Sequence, residues 1–276
     1  MIKIMLDSAS DCRGEKELYE LFAPISINFD NEEYLDGVSI DNDTFYAKLE
    51  GSSVFPTTAQ PSQQYFVDTF SKVKEYGDEH IYISVSSGLS GTYQSAFMAS
   101  KEVDYDKIYI VDSLSVSHAI RILALHAIEL RAQGKSGQEI ADACEALRHR
   151  IKIFAGVDTL EYFKRGGRLS NASAFVGTVA NLKPVLTVTP EGKAEIVSKT
   201  LGRARSMMAI IDFINQYGVD TSFPAYSMYT CGTDNCASLE DKLIANNLPL
   251  TKRLQLGPTI GTHAGPGVYA YVFVAK

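Results

Sequence analysis

Residues 84–96 read SVSSGLSGTYQSA, and the rest of the chain can be interpreted outward from this stretch. The preceding segment Ile81–Val85 is apolar and β-branched, which predicts a short buried strand. Ser86–Leu89 predicts a tight turn, and a helix is expected to follow from Ser90. Unpaired backbone N–H groups at a helix start can bind an anion, and Gly91 would let a ligand approach the backbone. Ser90 would equally serve as an ordinary helix cap, so both interpretations stay open on this stretch alone.

Polar residues also follow two of the other strands predicted in the first half of the chain. Ile2–Leu6 is an apolar run that ends in Asp7–Asp11, written DSASD, and Ile108–Val111 ends in Asp112 and a serine. Strands alternating with helical segments predict a parallel sheet. Because open α/β sheets bind ligands beyond the carboxyl ends of their strands, these residues indicate a ligand site at one edge.

A second hydroxyl-rich segment lies at Gly51–Ser62, which reads GSSVFPTTAQPS. Its two prolines and turn-forming residues predict a structured loop rather than a helix or strand. Twelve loop residues before a helix are unusual enough to indicate function. We expect Thr58 to supply a second hydroxyl to an anion bound at Ser90.

The glycine-rich segment Gly257–Gly267, GPTIGTHAGPG, contains a single titratable side chain, His263. Four glycines in eleven residues predict a loop whose backbone can approach another group closely. A single loop histidine is often structural or solvated. Its position between glycines makes a functional role equally reasonable.

Several arginines stand out in an acidic protein. Lys164 and Arg165 precede a glycine pair at a predicted helix end, where cations complement the helix dipole. Arg168 lies beyond those glycines and is a better candidate for binding an anion. Arg203 and Arg205 lie at a predicted helix start, which disfavours cations, so a bound anion or an acidic partner would explain them.

The pattern of elements predicts an α/β fold of two domains, with mostly parallel sheets and a second sheet of mixed strand order. The boundary is expected near residue 158, giving domains 1–158 and 159–276. A hairpin at Pro184–Val197 marks the change in topology. Helices are expected, among other places, at Glu15–Phe22 and Asn171–Leu182.

Composition limits the classes of function. A net charge of -7 argues against a nucleic-acid surface, and the four scattered cysteines do not form a disulfide framework. No signal peptide or membrane span is evident, so we expect a cytoplasmic protein with reduced thiols.

The five histidines show no metal-ligand spacing, and no P-loop or dinucleotide fingerprint occurs, so no metal or cofactor is expected. Asp7, Asp11 and Asp112 could hold Mg²⁺, but turn and capping roles are commoner.

Two enzyme functions are alternatives. A serine acyl hydrolase could use Ser90 as nucleophile and His263 as base. However, the segment GLSGT lacks the second glycine of the nucleophile elbow, and no carboxylate is evident behind the histidine. A transferase that binds phosphate through its basic residues would instead bind a nucleotide.

Taken together, the ordered motifs resemble the DegV family of bacterial fatty-acid-binding proteins. The resemblance extends over nearly the whole chain, which is far more specific than any single motif. The matching segments are DSASD at 7–11, PTTAQPS at 56–62, SSGLSGTYQSA at 86–96, VDS at 111–113, KRGGRL at 164–169 and GTHAGPG at 261–267.

The resemblance implies two α/β domains with a long-chain fatty acid between them. Its carboxylate would be held by Thr58 and Ser90 beside Gly91. His263, if protonated, would add a further donor. It also implies a carrier without catalytic activity that presents the acid to a separate fatty acid kinase for acyl phosphate formation, with transient membrane contact. His263 and Arg168 match positions implicated in that step, and Arg203 or Arg205 could contact the partner or the phosphate.

Two departures from the family pattern bear on the pocket. Ala59 replaces the serine that is usual in the Thr/Pro-rich loop, which removes one hydroxyl. Residues 117–121, SHAIR, replace the small residues and glycine that usually follow the third strand. The sequence therefore leaves the preferred chain length open.

Overall fold

The computed structural model describes residues 1–169 and 181–276. The helix predicted at Asn171–Leu182 lies outside the described residues, except for its last two positions. The strands are β1 (Ile2–Asp7), β2 (Leu21–Ala23), β3 (Ser26–Phe29), β4 (Glu32–Leu35), β5 (Thr57–Ala59), β6 (Glu79–Ser84), β7 (Ile108–Asp112), β8 (Ile151–Gly156), β9 (Leu182–Val188), β10 (Ala194–Leu201), β11 (Tyr226–Tyr229), β12 (Lys252–Gln255) and β13 (Tyr269–Val274). The helices are α1 (Asn42–Gly51), α2 (Gln63–Tyr76), α3 (Thr92–Val103), α4 (His118–Ala132), α5 (Gly137–Arg148), α6 (Glu161–Gly166), α7 (Arg203–Tyr217), α8 (Asp234–Ala245) and α9 (Pro258–Ala264).

The first sheet is parallel, with strand order β2-β1-β6-β7. Apolar side chains on its central strands are buried on both faces, as expected for a sheet covered by helices. Tyr82 of β6 packs with residues of α2 and α3, whereas Ile81 and Ile83 face α4 and α5. This packing directs the carboxyl ends of β1, β6 and β7 toward the second sheet.

The second sheet has the order β10-β9-β8-β13-β11-β12 and is mixed, because β11 and β12 pair in parallel while the other pairs are antiparallel. Its central strand β13 alternates strictly. Tyr269, Tyr271 and Phe273 pack on one face with α7 and α8, and Ala270 and Val272 lie on the other with the core of the first sheet. The fold class, two α/β units with a mixed second sheet, is confirmed.

Strand β8 bears on the domain boundary predicted after residue 158. It pairs with β9 and β13 and is therefore part of the second sheet. We propose a boundary in the short turn between α5 and β8, so that Ile151–Gly156 belongs to the C-terminal domain.

Three local predictions were wrong. Residues 15–22 do not form a helix: residues 15–20 form turns, Leu21 and Phe22 belong to β2 and pair in parallel with β1, and Leu18 and Tyr19 are buried in the core. Within the predicted Thr/Pro-rich loop, Thr57–Ala59 forms the short strand β5, which pairs antiparallel with β3. The predicted glycine-rich loop contains α9, whose proline at the first turn is a favoured helix start.

Candidate functional site

A cavity of about 400 Å³ lies where the two sheets meet. Most of the side chains that line it are apolar. They come from the second sheet, from β5, from α9 and from the loops that follow β1, β6 and β7 of the first sheet. The polar exceptions include Thr58, Ser90, Arg168 and His263, four of the predicted site residues. The apolar lining includes Ile153, Ala155, Leu186, Met228 and Ala270.

Thr58 and His263 are in direct contact although they are far apart in sequence. Thr58 is opposite Ile27 in the β3–β5 pair, and His263 lies in the last turn of α9. Their side chains meet with Thr58 Oγ1 2.9 Å from His263 Nε2. The prediction that these residues share one site is consistent with this contact.

Ser90 lies two residues before the first residue of α3, with Gly91 as the helix cap. Its Oγ is 2.8 Å from Thr92 Oγ1 and accepts a hydrogen bond from the Thr92 N–H at 3.3 Å. Gly91 packs closely against the Gln60 side chain, because a Cβ at Gly91 would come within 2.1 Å of Gln60 Oε1 and displace that amide. The Gln60 side chain also donates to Ser95 Oγ at 2.7 Å, which fixes the Thr58 segment against α3.

Arg168 connects the Ser90 and His263 sides of the cavity. Its Nε donates to the carbonyl of Leu89 at 3.3 Å, and its Nη1 donates to the carbonyl of Gly166. Gly166 in turn packs against the His263 ring. Thr58, His263, Gly166, Arg168 and the Leu89–Ser90 turn therefore form a continuous chain of contacts, which we call the polar end of the cavity.

Burial, and then the nearby charge of Arg168, lowers the pKa of His263 to about 4. The imidazole is therefore neutral at pH 7. Burial beside a guanidinium therefore disfavours the protonated form of His263 that was considered as a charged donor.

The two other arginines differ from each other. Arg203 forms a two-point ion pair with Asp158, with Nε–Oδ1 2.9 Å and Nη2–Oδ2 2.7 Å. An acid of the chain itself thus accounts for this cation at a helix start. Arg205 is exposed and forms no ion pair with a described residue. Neither residue lines the cavity.

Sequence reasoning missed Gln60, Gly166 and the apolar wall of the cavity. The wall did leave a signal in the sequence YAYVFV of β13, where large aromatic residues alternate with smaller aliphatic ones. Small side chains on one face of a central strand leave room for a ligand. The Gly166 contact had no local signal, because it depends on the packing of α6 against α9.

Of the acidic residues after the predicted strands, Asp11 connects the two domains, whereas Asp112 supports a turn within the first. Asp11 accepts hydrogen bonds from Ser117 Oγ at 2.5 Å and from the Gly257 N–H at 2.9 Å. Asp112 accepts from the N–H groups of Ser87 and Leu114, as expected for a turn. Among residues 1–169 and 181–276, no group of three or more acidic, histidine or cysteine side chains could hold a metal ion. In the same part of the chain, no helix is long and apolar enough to cross a bilayer.

The fold and the cavity define a class: two-domain α/β proteins that enclose an apolar cavity with a polar end. The chain matches the DegV family model over residues 1–276. It therefore belongs to the DegV family, as the sequence motifs predicted.

Individual relatives are similar over the full length. A DegV domain-containing protein of Caldanaerobacter subterraneus is 33% identical over 279 residues, which is 100% of this chain and 99% of the relative. The structure is similar to that of a DegV family protein from Thermus thermophilus described as binding fatty acid, with a TM-score of 0.88, 31% identity and coverage of 100% and 99%. It is also similar to DegV of Bacillus subtilis, described as a fatty-acid-binding protein, with a TM-score of 0.84, 26% identity and the same coverage.

Proposed function

We propose that this protein binds a long-chain fatty acid, with the carboxylate at the polar end and the acyl chain along the apolar wall. The observation that carries the proposal is the convergence of Thr58, His263, Arg168 and the Ser90 turn at one end of an otherwise apolar cavity. The fatty-acid-binding proteins of T. thermophilus and B. subtilis support the same ligand class.

The site offers favourable interactions to both the carboxylate and the acyl chain. A buried carboxylate is costly unless several donors satisfy it. The two hydroxyls can do so together with Nη2 of Arg168, which has no hydrogen-bond partner among the described residues. Each methylene removed from water contributes about 0.8 kcal/mol before the entropy of association is subtracted. The acyl chain would thus dominate affinity, and the polar end would fix its orientation.

The direct test is native mass spectrometry of the protein purified from a bacterial host, followed by lipid extraction. We expect a bound long-chain fatty acid. The double variant Thr58→Val/Ser90→Ala should retain much less of it after delipidation and reloading. Thr187→Val is the matched control, because Thr187 lines the cavity but already donates its hydroxyl to the Ile153 carbonyl at 2.7 Å. Full retention by the double variant would contradict the carboxylate site.

Presentation of the acid to a separate fatty acid kinase is the second part of the proposal, and it implies a cytoplasmic carrier that catalyses nothing alone. Arg205 is the better candidate for the partner contact, because Arg203 is paired with Asp158. In a reaction with a bacterial fatty acid kinase and ATP, Arg205→Glu should lower acyl phosphate formation while fatty acid binding persists. Lys72→Glu, an exposed change on α2, is the control. Equal rates for both variants would exclude Arg205.

The hydrolase alternative lacks support in the geometry. His263 Nε2 contacts Thr58, and Ser90 Oγ contacts Thr92. His263 Nδ1 has no hydrogen-bond partner among the described residues, so no carboxylate orients the ring.

A further inference from the structure

The two nitrogens of His263 have different surroundings. Nε2 lies 2.9 Å from Thr58 Oγ1, whereas Nδ1 is buried and has no hydrogen-bond partner in the described chain. A neutral imidazole carries its proton on only one of these atoms. Which atom carries it decides whether the ring donates to Thr58 or accepts from it.

Gly166 faces Nδ1. A Cβ built on Gly166 would lie 2.3 Å from Nδ1, so the hydrogen that this Cβ would replace points toward the nitrogen. A Cα–H group is a weak donor that suits a bare nitrogen lone pair. If Nδ1 carried the proton, its N–H hydrogen would point directly at the Cα hydrogen of Gly166, which is unfavourable. This contact favours a bare Nδ1 and a proton on Nε2.

We propose that Gly166 is a positioning residue that holds His263 as the neutral Nε2–H tautomer, so that Thr58 is free to donate its hydroxyl hydrogen to a bound carboxylate. This inference rests on the proposed fatty-acid site. With the opposite tautomer, Thr58 would donate to Nε2 and present only lone pairs to the anion, which would repel it. Glycine at 166 thereby determines whether Thr58 attracts or repels the ligand.

The charged surroundings agree with a neutral ring. Arg168 is the charged group at this end of the cavity, and it donates to the Gly166 carbonyl on the helix end that supports the ring. Burial and this guanidinium lower the pKa of His263 to about 4. The doubly protonated ring is therefore rare at pH 7.

The first test reads the tautomer directly, without any ligand. Nitrogen NMR of delipidated protein labelled with ¹⁵N-histidine should show a protonated Nε2 and an unprotonated Nδ1 for His263. The signals of His263 are assigned among the five histidines from the spectrum of His263→Gln. A proton on Nδ1 overturns the proposal. This result does not depend on fatty acid binding. The tautomer assignment can therefore be disproved without disproving fatty acid binding, and the reverse also holds.

The second test measures binding of a fluorescent fatty acid, cis-parinaric acid. Gly166→Ala should weaken binding at least about tenfold, as expected for losing one hydrogen bond to a charged group. Gly51→Ala is the control, because Gly51 also ends a helix and has no atom within 4 Å of a Cβ.

A third variant separates positioning from a general structural effect. The side-chain amide of glutamine can donate to Thr58 from the position of Nε2 and has no nitrogen in place of Nδ1. In a His263→Gln background, Gly166→Ala should therefore cause almost no further loss. An equal loss in both backgrounds would contradict the proposal, and so would unchanged binding by Gly166→Ala alone.

Discussion

At the residue level, His263 contacts a hydroxyl through its ring while the ring itself is uncharged at neutral pH. Its ring is in a site that also contains Arg168, and both burial and that charge disfavour the imidazolium. Such a ring can orient a hydroxyl at neutral pH without contributing a charge. Binding of the proposed carboxylate would then depend on the hydroxyls and on the guanidinium of Arg168.

This neutral state predicts how affinity depends on pH. Because the pKa of His263 is about 4, its charge does not change between pH 6 and 8, and fatty acid affinity should stay nearly constant across that range. Fluorescence titrations at constant ionic strength would measure it. A tenfold loss of affinity per pH unit above pH 6.5 would mean that a protonated His263 binds the carboxylate.

His80 makes a prediction about stability. Its side chain is buried in β6 with no hydrogen-bond partner among the described residues for either ring nitrogen. Burial, and then the charge of Lys3, lowers the pKa of His80 to about 4. The unfolded chain therefore binds more protons than the folded protein as pH falls from 6.5 toward 4. The free energy of unfolding should decrease over this window, with about 3 kcal/mol as the upper limit for this residue.

Urea unfolding of the protein and of His80→Phe at pH 7 and pH 5 would measure this effect. The variant should lose less stability on acidification than the parent protein. His118 and His263 also have lowered pKa values and contribute equally to both proteins, so the difference between the two isolates His80. Identical losses would mean that His80 is protonated in the folded protein.

At the level of elements, strands and helices with a clear period were predictable, and contacts between distant segments were not. The alternation in β13 and the apolar face of α2 determine those elements locally. Residues 15–22 have a helical pattern, but pairing of Leu21 with Met5 adds a strand to the first sheet. Similarly, β5 exists only because β3 offers it a partner. Thr58 and Ser90 were identifiable by their residue types, whereas Gly166 acquires its role only through the packing of α6 on α9.

The β9–β10 hairpin illustrates such a contact and permits a test. Its turn docks on the first domain, where Ser86 Oγ donates to the Gly192 carbonyl at 2.7 Å. Gly192 has φ +74°, and a Cβ there would come within 2.0 Å of Ser86 Oγ. Gly192→Ala should therefore strain the backbone at a positive φ and break this interdomain hydrogen bond. Together these effects should lower the free energy of unfolding by about 3 kcal/mol.

Gly77→Ala is the matched control for the hairpin. Gly77 has φ +69°, but no atom lies within 4 Å of a Cβ at this position. Gly77→Ala should therefore lower the free energy of unfolding only through backbone strain, by about 1 kcal/mol. Urea unfolding would compare the two variants. Equal losses would indicate that the hairpin contact contributes nothing to stability.

At the level of the whole molecule, the two sheets share one core, so the domains are not independent units. The largest buried cluster contains Ile4 and Ile81 from the first sheet together with Ala270 and Val272 from the second. The cavity lies within this shared region. Ligand binding should therefore stabilise both domains together.

A buried arginine, paired with a half-buried glutamate, contacts the second domain at the same junction. Arg121 of α4 forms a two-point contact with Glu15 from the loop after β1, and its guanidinium lies 5.6 Å from the centre of the Tyr226 ring in β11. Glu15→Gln should destabilise the protein by about 3 kcal/mol, because it leaves the Arg121 charge buried and unpaired. Urea unfolding at pH 7 would measure the loss.

The paired variant Glu15→Gln/Arg121→Met tests the cause of that loss. Removing both charges should cost less than removing Glu15 alone, since no unpaired charge stays buried. Additive losses would show that each side chain stabilises the protein independently of the other.

The strict alternation of β13 also has an evolutionary consequence. Neighbouring residues of β13 face opposite sides of the sheet. A substitution at Ala270 would therefore change the shape of the cavity, while Tyr269 and Tyr271 would keep their packing against α7 and α8. Cavity shape can thus diverge among related proteins by substitution at Ala270, without any change in the aromatic face that packs against α7 and α8.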